Sequence, residues 1–419
     1  MYTSLGFHTF DIFLKLTYDE AIDLYKAFKN YPDVRVRPVE RDKNNSTAYP
    51  KAYHVEYIRK HKGITWYIRF RETYSARMEK YENEYIELRK FSVRARVNPK
   101  ILIGIQDYLT AASSSCLGDV EKQFNAEVAR ISPILCKFEN YSINRADFCI
   151  NLDLVELRIP CSTEQMMTLI KRGDVPAHFT EWTEYNNKTH RQEASKDALY
   201  LKNNSLTINC YPKQIQLMKV FPSCSDIENS KNLIRFEVQC KYNKVYSLAK
   251  ERREDSTYNM KLAEDISIDE IMEEFIYHRN NVFPSNPIDV IISDAVANIV
   301  IRNYFLKVVG FGDYYSLDVA RKIVNEKTSS KKVRDRLITA LSYVNSCRGI
   351  ASAKSKIEGT HLEEFKRSLK QLRNMGINPV TIPREWGISH IKNLFDAYLE
   401  RVDYERMQEE LVVAFLRKV

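Results

Sequence analysis

The feature that most constrains this chain is an order of segments that occurs twice: a strand-like run, a capped helix, then paired strand-like runs. The first copy opens with Phe7-His-Thr-Phe-Asp-Ile-Phe-Leu-Lys-Leu16, where aromatic and β-branched residues alternate with polar ones. Thr17-Tyr-Asp-Glu20 is a capping-box pattern, and Ala21, Leu24, Ala27 and Phe28 follow at helical spacing. Strands are expected next over 52–59, 64–70, 85–88 and 92–97, with Pro99 ending the last, then helices over 102–112 and 119–131. The second copy opens with Tyr141-Ser-Ile-Asn-Arg-Ala-Asp-Phe-Cys-Ile-Asn-Leu-Asp153 and continues into a helix from Ser162-Thr-Glu-Gln to about Lys171. Strands over 198–213, with a turn at Asn203-Asn204, and 232–241 complete it.

The repeat is one of pattern, not of identity. It predicts an α+β fold: an antiparallel sheet core of two related βαβ-type halves, about 1–115 and 140–250, within a unit spanning 1–255. From 266 onward helical periodicity dominates, with candidates at 268–279, 288–307, 316–326, 331–346, 361–375 and 388–418. An all-helical C-terminal domain is therefore expected over 262–419, with an exposed linker at Glu251-Arg-Arg-Glu-Asp-Ser-Thr257. A helix-turn-helix at 316–346 would put Lys331, Lys332, Arg334 and Arg336 in the first turns of its second helix. Two helices around a polar break are also a common plain packing unit.

Composition narrows the class. A chain of 419 residues with 44% hydrophobic and 28% charged residues, 11 Gly and 13 Pro is not disordered or collagen-like. No basic segment followed by an apolar run opens it, and no stretch approaches the roughly 18 apolar residues of a membrane span. The eight cysteines form no CxxC pair or zinc quartet, so reduced thiols in a cytoplasmic protein with no membrane partner are expected.

The net charge of +9 is concentrated in two regions: 17 Lys/Arg against 8 Asp/Glu from Arg35 to Lys100, and 12 against 4 from Lys327 to Arg373. Tyr53, Tyr57, Trp66, Tyr67, Phe70 and Tyr74 are interleaved in the first, a composition suited to phosphates and stacked bases. A solvated basic face over an aromatic core is the competing reading. On the first reading Arg94, Arg96 and Lys100, with Lys202 from the second half, contact DNA.

Three strands place charges among apolar positions. Arg145 and Asp147 share one face of the first, since side chains two apart point the same way. Arg235 and Glu237 repeat this in Leu233-Ile-Arg-Phe-Glu-Val238, and Tyr211 and Lys213 repeat it again around Pro212. If the strands are neighbours, one face collects two carboxylates, two arginines, a lysine and a phenol, which suits phosphodiester chemistry. Carboxylates can hold Mg²⁺ or Mn²⁺, the cationic side chains can stabilise charge on phosphate oxygens, and the phenol needs cations or a base to act as nucleophile. Alternatively, Arg145 with Glu237 and Arg235 with Asp147 are plain cross-strand ion pairs, and Tyr211 is one ordinary tyrosine among 26.

Four segments, in order, resemble the trans-acting rolling-circle replication initiators of small Gram-positive plasmids (the Rep-trans type) and related phage or conjugative-element relaxases. They are Phe91-Ser-Val-Arg-Ala-Arg-Val-Asn-Pro-Lys-Ile-Leu102, Ile143-Asn-Arg-Ala-Asp-Phe-Cys-Ile-Asn-Leu152, Leu199 to Lys213, and Leu233-Ile-Arg-Phe-Glu-Val-Gln-Cys-Lys241. The likeness covers roughly residues 85 to 245. It implies that Tyr211 forms a phosphotyrosine with a DNA 5′ end and releases a 3′-OH primer, with Asp147 and Glu237 as ligands of Mg²⁺ or Mn²⁺. It further implies an origin hairpin or duplex and its single-stranded product as DNA partners, a homodimer, and a host helicase and polymerase. The chain departs from the pattern at Asn151, usually acidic, and at Pro212, usually Asn or Asp. A transfer relaxase with the same chemistry and a non-catalytic DNA-binding replication protein are the alternatives.

The eight histidines offer no His-x-His pair, which disfavours histidine-metal nucleases, although His54 could add one ligand. No Gly-rich loop followed by Lys-Ser/Thr is present, so nucleotide hydrolysis is not expected.

Overall fold

The computed structural model describes residues 2–30, 34–38, 53–57, 62–73, 88–105, 107–186, 191–254 and 288–403. The chain forms a mixed α+β fold around one large antiparallel sheet. Its strands are β1 (Ser4–Leu16), β2 (Val34–Pro38), β3 (Tyr53–Tyr57), β4 (Ile64–Thr73), β5 (Leu88–Val97), β6 (Ser142–Asp153), β7 (Thr180–Glu181), β10 (Leu199–Lys202), β11 (Leu206–Pro212) and β12 (Leu233–Cys240). Between β7 and β10 in the chain, β8 (Thr183–Asn186) and β9 (Arg191–Ala194) form a separate ribbon.

The strand order β2-β3-β4-β5-β1-β6-β12-β11-β10-β7 explains the repeated pattern. The first strand of each half lies at the middle of the sheet, and each half then builds outward in the same sequence from its last strand. β1 and β6 run antiparallel from Ser4↔Asn151 to Phe13↔Ser142, with irregularities after Phe7 and Asp11. The two halves are thus related by an approximate two-fold between these central strands.

The helices that follow β1 and β6 are also alike. In the helix Tyr18–Asn30, Glu20 donates its backbone N–H to Thr17 Oγ1 at 3.2 Å and accepts from the Thr17 N–H at 2.7 Å. In the helix Thr163–Lys171, Ser162 and Gln165 make the same reciprocal pair. Both capping boxes satisfy N–H groups that a helix start otherwise leaves orphaned. Each helix lays apolar residues on one face of the sheet: Ala21, Leu24 and Phe28 from the first, and Met166, Met167, Leu169 and Ile170 from the second. Trp66 of β4 sits 5.8 Å from Phe28 and 5.7 Å from Phe124 of the helix Leu117–Ile131. Burying each such aromatic side chain contributes roughly 1.5–3 kcal/mol.

The helical C-terminal region packs on this same apolar face. Phe236 of β12 meets Phe305 of the helix Asp294–Val308 at 5.0 Å, and Phe305 meets Phe395 at 5.6 Å. The hydrophobic core is therefore continuous from sheet to helices. With one face of the sheet committed to the core, the polar side chains of every alternating strand are directed to the other.

Several expected boundaries differ. The helix expected over 102–112 stops after one turn, Pro99–Leu102, because Gly104 takes φ +82° and Asp107 Oδ1 accepts from the Leu109 N–H at 2.7 Å in a local turn. The linker expected at 251–257 is helical as far as Glu254, within the helix Tyr242–Glu254. The helix expected over 288–307 is interrupted where Ser293 caps Asp294–Val308 through its side chain. At 388–418, His390–Ile391 instead pairs with Tyr314–Tyr315 as a short ribbon, followed by a helix over 394–403. The C-terminal region is thus helical with one small β-ribbon. The candidates at 268–279 and 404–418 and the strand start at 85–87 lie outside the described residues. Among the described residues, no helix is long and apolar enough to cross a membrane.

Candidate functional site

Directly paired residues in an antiparallel sheet share a face, so the registers give the polar face row by row. Tyr211, Arg235, Asn151 and Ser4 form one row, and Asn209, Glu237, Cys149 and Gly6 the next. Gln239, Asp147 and Thr9 follow, and Arg145, Asp11 and Arg96 come after them. Tyr67 and Arg94 complete the face on β4 and β5. The expected gathering of Arg145, Asp147, Tyr211, Arg235 and Glu237 on one face is what these registers produce.

The ion pairs do not run as a plain cross-strand network would. Arg145 does not pair with Glu237, nor Arg235 with Asp147. Arg145 instead grips Asp147 on its own strand, with Nε 2.8 Å from Oδ1 and Nη2 bonded to Oδ2, while Thr9 donates to Oδ2 at 2.5 Å. Arg235 is fully buried and donates through Nε to Asn151 Oδ1 at 2.6 Å and through Nη2 to the Tyr108 carbonyl at 3.2 Å. Tyr211 is its cross-strand partner on β11. Glu237 receives Asn209 Nδ2 at 3.3 Å and lies 3.1 Å from His8 Nδ1.

Burial opposes ionisation throughout the site, and the neighbours decide the outcome. At Glu237 the cost of burial is outweighed by His8, Arg235 and Asn209, which hold the carboxyl down at about 2. At Asp147 burial, reinforced by Glu237, prevails over Arg145 and Thr9 and pushes the carboxyl up to about 6. Two carboxylates on one face thus differ in how readily they take a proton. Burial, helped by the Arg235 charge, brings Lys213 down to about 7. Burial and the Glu237 charge raise the Tyr211 phenol well above its ordinary range, and Arg235 works against them.

Lys213 does not continue the strand. Pro212, paired with Ile234, ends β11 and caps the helix Lys213–Val220 at φ −65°, making Lys213 the first helical residue. A proline donates no N–H, so its position at the junction suits a strand end that becomes a helix start. Lys213 is 3% exposed, bonds Gln216 Oε1 at 2.8 Å, and still feels the charges of Arg235 and Glu237.

Tyr211 itself is only 9% exposed. The segment 107–112 crosses this part of the face. Its Ala112 bridges to Phe7, Leu109 O accepts from Asn151 Nδ2 at 2.8 Å, and Tyr108 O accepts from Arg235. Leu109 packs with Leu217 and Leu233, joined by Tyr2, Tyr108 and Ile227, in a small apolar cluster separate from the main core. Gly6 is required where the segment crosses β1, since a Cβ there would lie 2.1 Å from the Ala112 carbonyl oxygen.

Among the described residues, no group of three or more His, Cys, Asp or Glu side chains is arranged to hold a metal ion. Of the donors expected to ligate, Asp147 is held by Arg145 and Thr9, whereas Glu237 receives Asn209 on Oε2 and leaves Oε1 buried without a hydrogen bond, 3.1 Å from His8 Nδ1. As arranged, these residues do not fit a preformed cation site. The side chain of His54 is outside the described residues.

The expected DNA contacts are dispersed. Arg94 and Arg96 lie on the polar face beside Asp11. Lys100 is engaged internally, with Nζ 2.6 Å from Asp107 Oδ2 and 2.7 Å from Thr110 Oγ1, and so anchors the covering segment. Lys202 stacks over Trp182 at 3.8 Å near the sheet edge. Lys331 and Lys332 are exposed and Arg334 is half-buried at the start of the helix Lys331–Ser346, which follows the helix Leu317–Lys327 after a short break. Arg336 donates to Gln371 Oε1 at 2.7 Å, which ties it to the helix Thr360–Asn374.

Sequence reasoning missed the contribution of β1. His8, Thr9 and Asp11 bond the site's charged groups from the strand that opens the chain. The signal was present, since Phe7-His-Thr-Phe-Asp-Ile places polar residues among apolar ones as the three flagged strands do.

No family model and no curated protein matches the chain. Among solved structures, it is similar to a rolling circle replication initiator protein from Geobacillus stearothermophilus at 10% sequence identity, over 60% of this chain and 80% of that chain. The TM-score is 0.27, a likeness too loose to carry an argument about function.

Proposed function

We propose that this chain nicks and rejoins single-stranded DNA through Tyr211, acting as a rolling-circle replication initiator. The observation that carries the reading is the register that sets Tyr211 directly opposite buried Arg235 on a polar sheet face that also holds Glu237 and Asp147, with Lys213 just beyond the strand's end. The motif resemblance supports it independently. In this reading Tyr211 Oη attacks the scissile phosphorus, the bond to the 3′ oxygen breaks, and a 5′-phosphotyrosine and a free 3′-OH result. Rejoining runs the same steps in reverse, with the 3′-OH as nucleophile and Tyr211 as leaving group.

Each side chain then has a distinct task. Arg235 stabilises the phenolate and the charge gathering on the phosphate oxygens. Lys213, held near 7, has a substantial neutral fraction at neutral pH and accepts the phenol's proton. Mg²⁺ or Mn²⁺ is part of the proposal on the carboxylates alone: Asp147 and Glu237 would have to exchange His8, Thr9 and Arg145 for the ion.

One observation favours a second reading. Tyr211 is 9% exposed, and the segment carrying Tyr108 and Leu109 is bonded to its neighbours Arg235 and Asn151, as suits a non-catalytic DNA-binding protein whose sheet is only a docking face. A nicking assay separates the two, using single-stranded circles and supercoiled plasmid carrying the DNA that flanks the encoding gene, with Mg²⁺ or Mn²⁺. Wild type nicks and Tyr211→Phe does not on the first reading. Neither nicks, and both bind with steep salt dependence, on the second.

A further inference from the structure

A second cluster on the polar face lies in the first half of the sheet. Asp11 is 1% exposed and receives Arg96 through Nε at 2.9 Å and Nη2 at 3.3 Å. Arg94 Nη1 lies 3.6 Å and Arg145 Nη1 3.7 Å from the same carboxylate. Three guanidiniums therefore surround Asp11 and Asp147, both buried beneath them. The arginine side chains remain 19% exposed at Arg94 and Arg145 and 37% at Arg96, so the excess positive charge faces outward. Beside them the Tyr67 ring lies 4.3 Å from the Arg94 guanidinium carbon and 5.6 Å from that of Arg96.

The approximate two-fold gives this cluster its place. Laying Ser4 at the start of β1 on Ser142 at the start of β6 carries Phe13 onto Asn151, Arg94 onto Arg235 and Tyr67 onto Tyr211. Each half thus sets a tyrosine opposite an arginine. In the second half Asn151 holds the arginine through its Nε. In the first, Phe13 cannot accept a hydrogen bond, and Asp11 holds the arginine instead, with the Tyr67 ring against its guanidinium.

We propose that Tyr67, Arg94, Arg96 and Arg145, fixed by Asp11, form a second single-strand contact that takes a backbone phosphate on the arginines and a base on the tyrosine. Strand spacing places it about 24 Å from Tyr211 across the sheet. At roughly 3.4 Å per nucleotide or more, that is a span of up to about seven nucleotides. Sequence-tolerant binding is expected, because every base has a face to stack and every phosphate the same charge. The inference rests on the reading of this sheet face as a DNA surface, but not on nicking by Tyr211.

Fluorescence anisotropy of the full chain tests it, with labelled oligothymidines of about five and about twenty nucleotides and a duplex of the longer length. Tyr67→Ala is expected to weaken the long single strand roughly tenfold without altering its salt slope, while Tyr67→Phe binds like wild type. Arg94→Gln/Arg96→Gln should lower the slope of log K against log salt by about 0.7 for each phosphate that is no longer neutralised. The five-nucleotide strand should be weakened less than the longer one in each variant, since it can bind elsewhere on the face without engaging this cluster. Thermal melts confirm that the variants fold. Wild-type affinity and slope in both Tyr67→Ala and the double variant overturn the inference, as does equal weakening in Tyr67→Phe and Tyr67→Ala. Duplex bound as tightly as the long single strand, and weakened equally by the variants, overturns the single-strand assignment. Loss of nicking in Tyr211→Phe with these binding effects absent would leave the nicking proposal standing and sink this one.

Discussion

Arg235 donates from Nε to Oδ1 of Asn151 at 2.6 Å, and this bond orients the guanidinium of the residue that lies directly opposite Tyr211. Asn151 departs from the acidic residue usual in the initiators this chain resembles. Here it also donates from Nδ2 to Leu109 O, so the amide joins the arginine to the covering segment. An aspartate could accept from Arg235 but could not donate to that carbonyl.

Asn151→Ala leaves a buried guanidinium nitrogen without its acceptor. The expected cost is about 1–3 kcal/mol of folding stability, read by urea denaturation. Nicking should fall at least about tenfold through kcat, because Arg235 is no longer held in place opposite Tyr211. An unchanged kcat in a folded variant would remove Asn151 from the account.

Lys213 makes the stability of the chain depend on pH in a defined direction. Its folded pKa is brought down to about 7, whereas an unfolded lysine titrates near 10.4. Between these values the unfolded state holds a proton that the folded state lacks, so stability rises with pH by up to about 1.4 kcal/mol per unit. Below about 7 both states are protonated and the full cost of burying the charge remains. Lys213→Met should flatten the dependence between pH 7.5 and 9.5 in paired urea titrations. Parallel curves for the two proteins would contradict this.

Much of this was legible in the sequence, and the exceptions have physical causes. The alternation in β1, β6, β11 and β12 reported both faces of the sheet, since a strand buried on one side must sort its residues with period two. The capping boxes at Thr17 and Ser162 were readable because they are local. The covering segment was not, because Leu102, Leu109 and Ala112 are apolar at near-helical spacing, whereas Gly104 and Asp107 turn the backbone away. Nor did spacing reveal that Asn151 is the partner of Arg235, which requires the β6–β12 register, or that Pro212 hands Lys213 to a helix.

The covering segment should be separable from the chemistry. Leu109 is buried with Leu217 and Leu233, so Leu109→Ala should cost about 2–3 kcal/mol. If access to Tyr211 is limited by this cover, the same variant should form covalent adducts with short single strands several-fold faster than wild type. Slower adduct formation at temperatures where the variant stays folded would mean that the segment positions the site rather than shielding it.

The carboxylates predict the metal response. EDTA should abolish nicking and leave oligothymidine binding within about twofold, because the arginines and Tyr67 need no ion. Glu237→Gln should raise the Mn²⁺ concentration required for half-maximal nicking by about tenfold or more, since a neutral amide is a weaker ligand for a hard cation. Full nicking in EDTA would exclude the ion from the proposal.

The central claim is tested most directly by identifying the residue that becomes linked to DNA. Wild-type protein is reacted with single-stranded DNA and divalent ion, the covalent adduct is digested, and the nucleotide-bearing peptide is sequenced by mass spectrometry. The account predicts a 5′-phosphodiester on Tyr211, in the peptide containing Asn209-Cys-Tyr-Pro-Lys213, and no adduct from Tyr211→Phe. A linkage on any other tyrosine, or an adduct that persists in Tyr211→Phe, would contradict it.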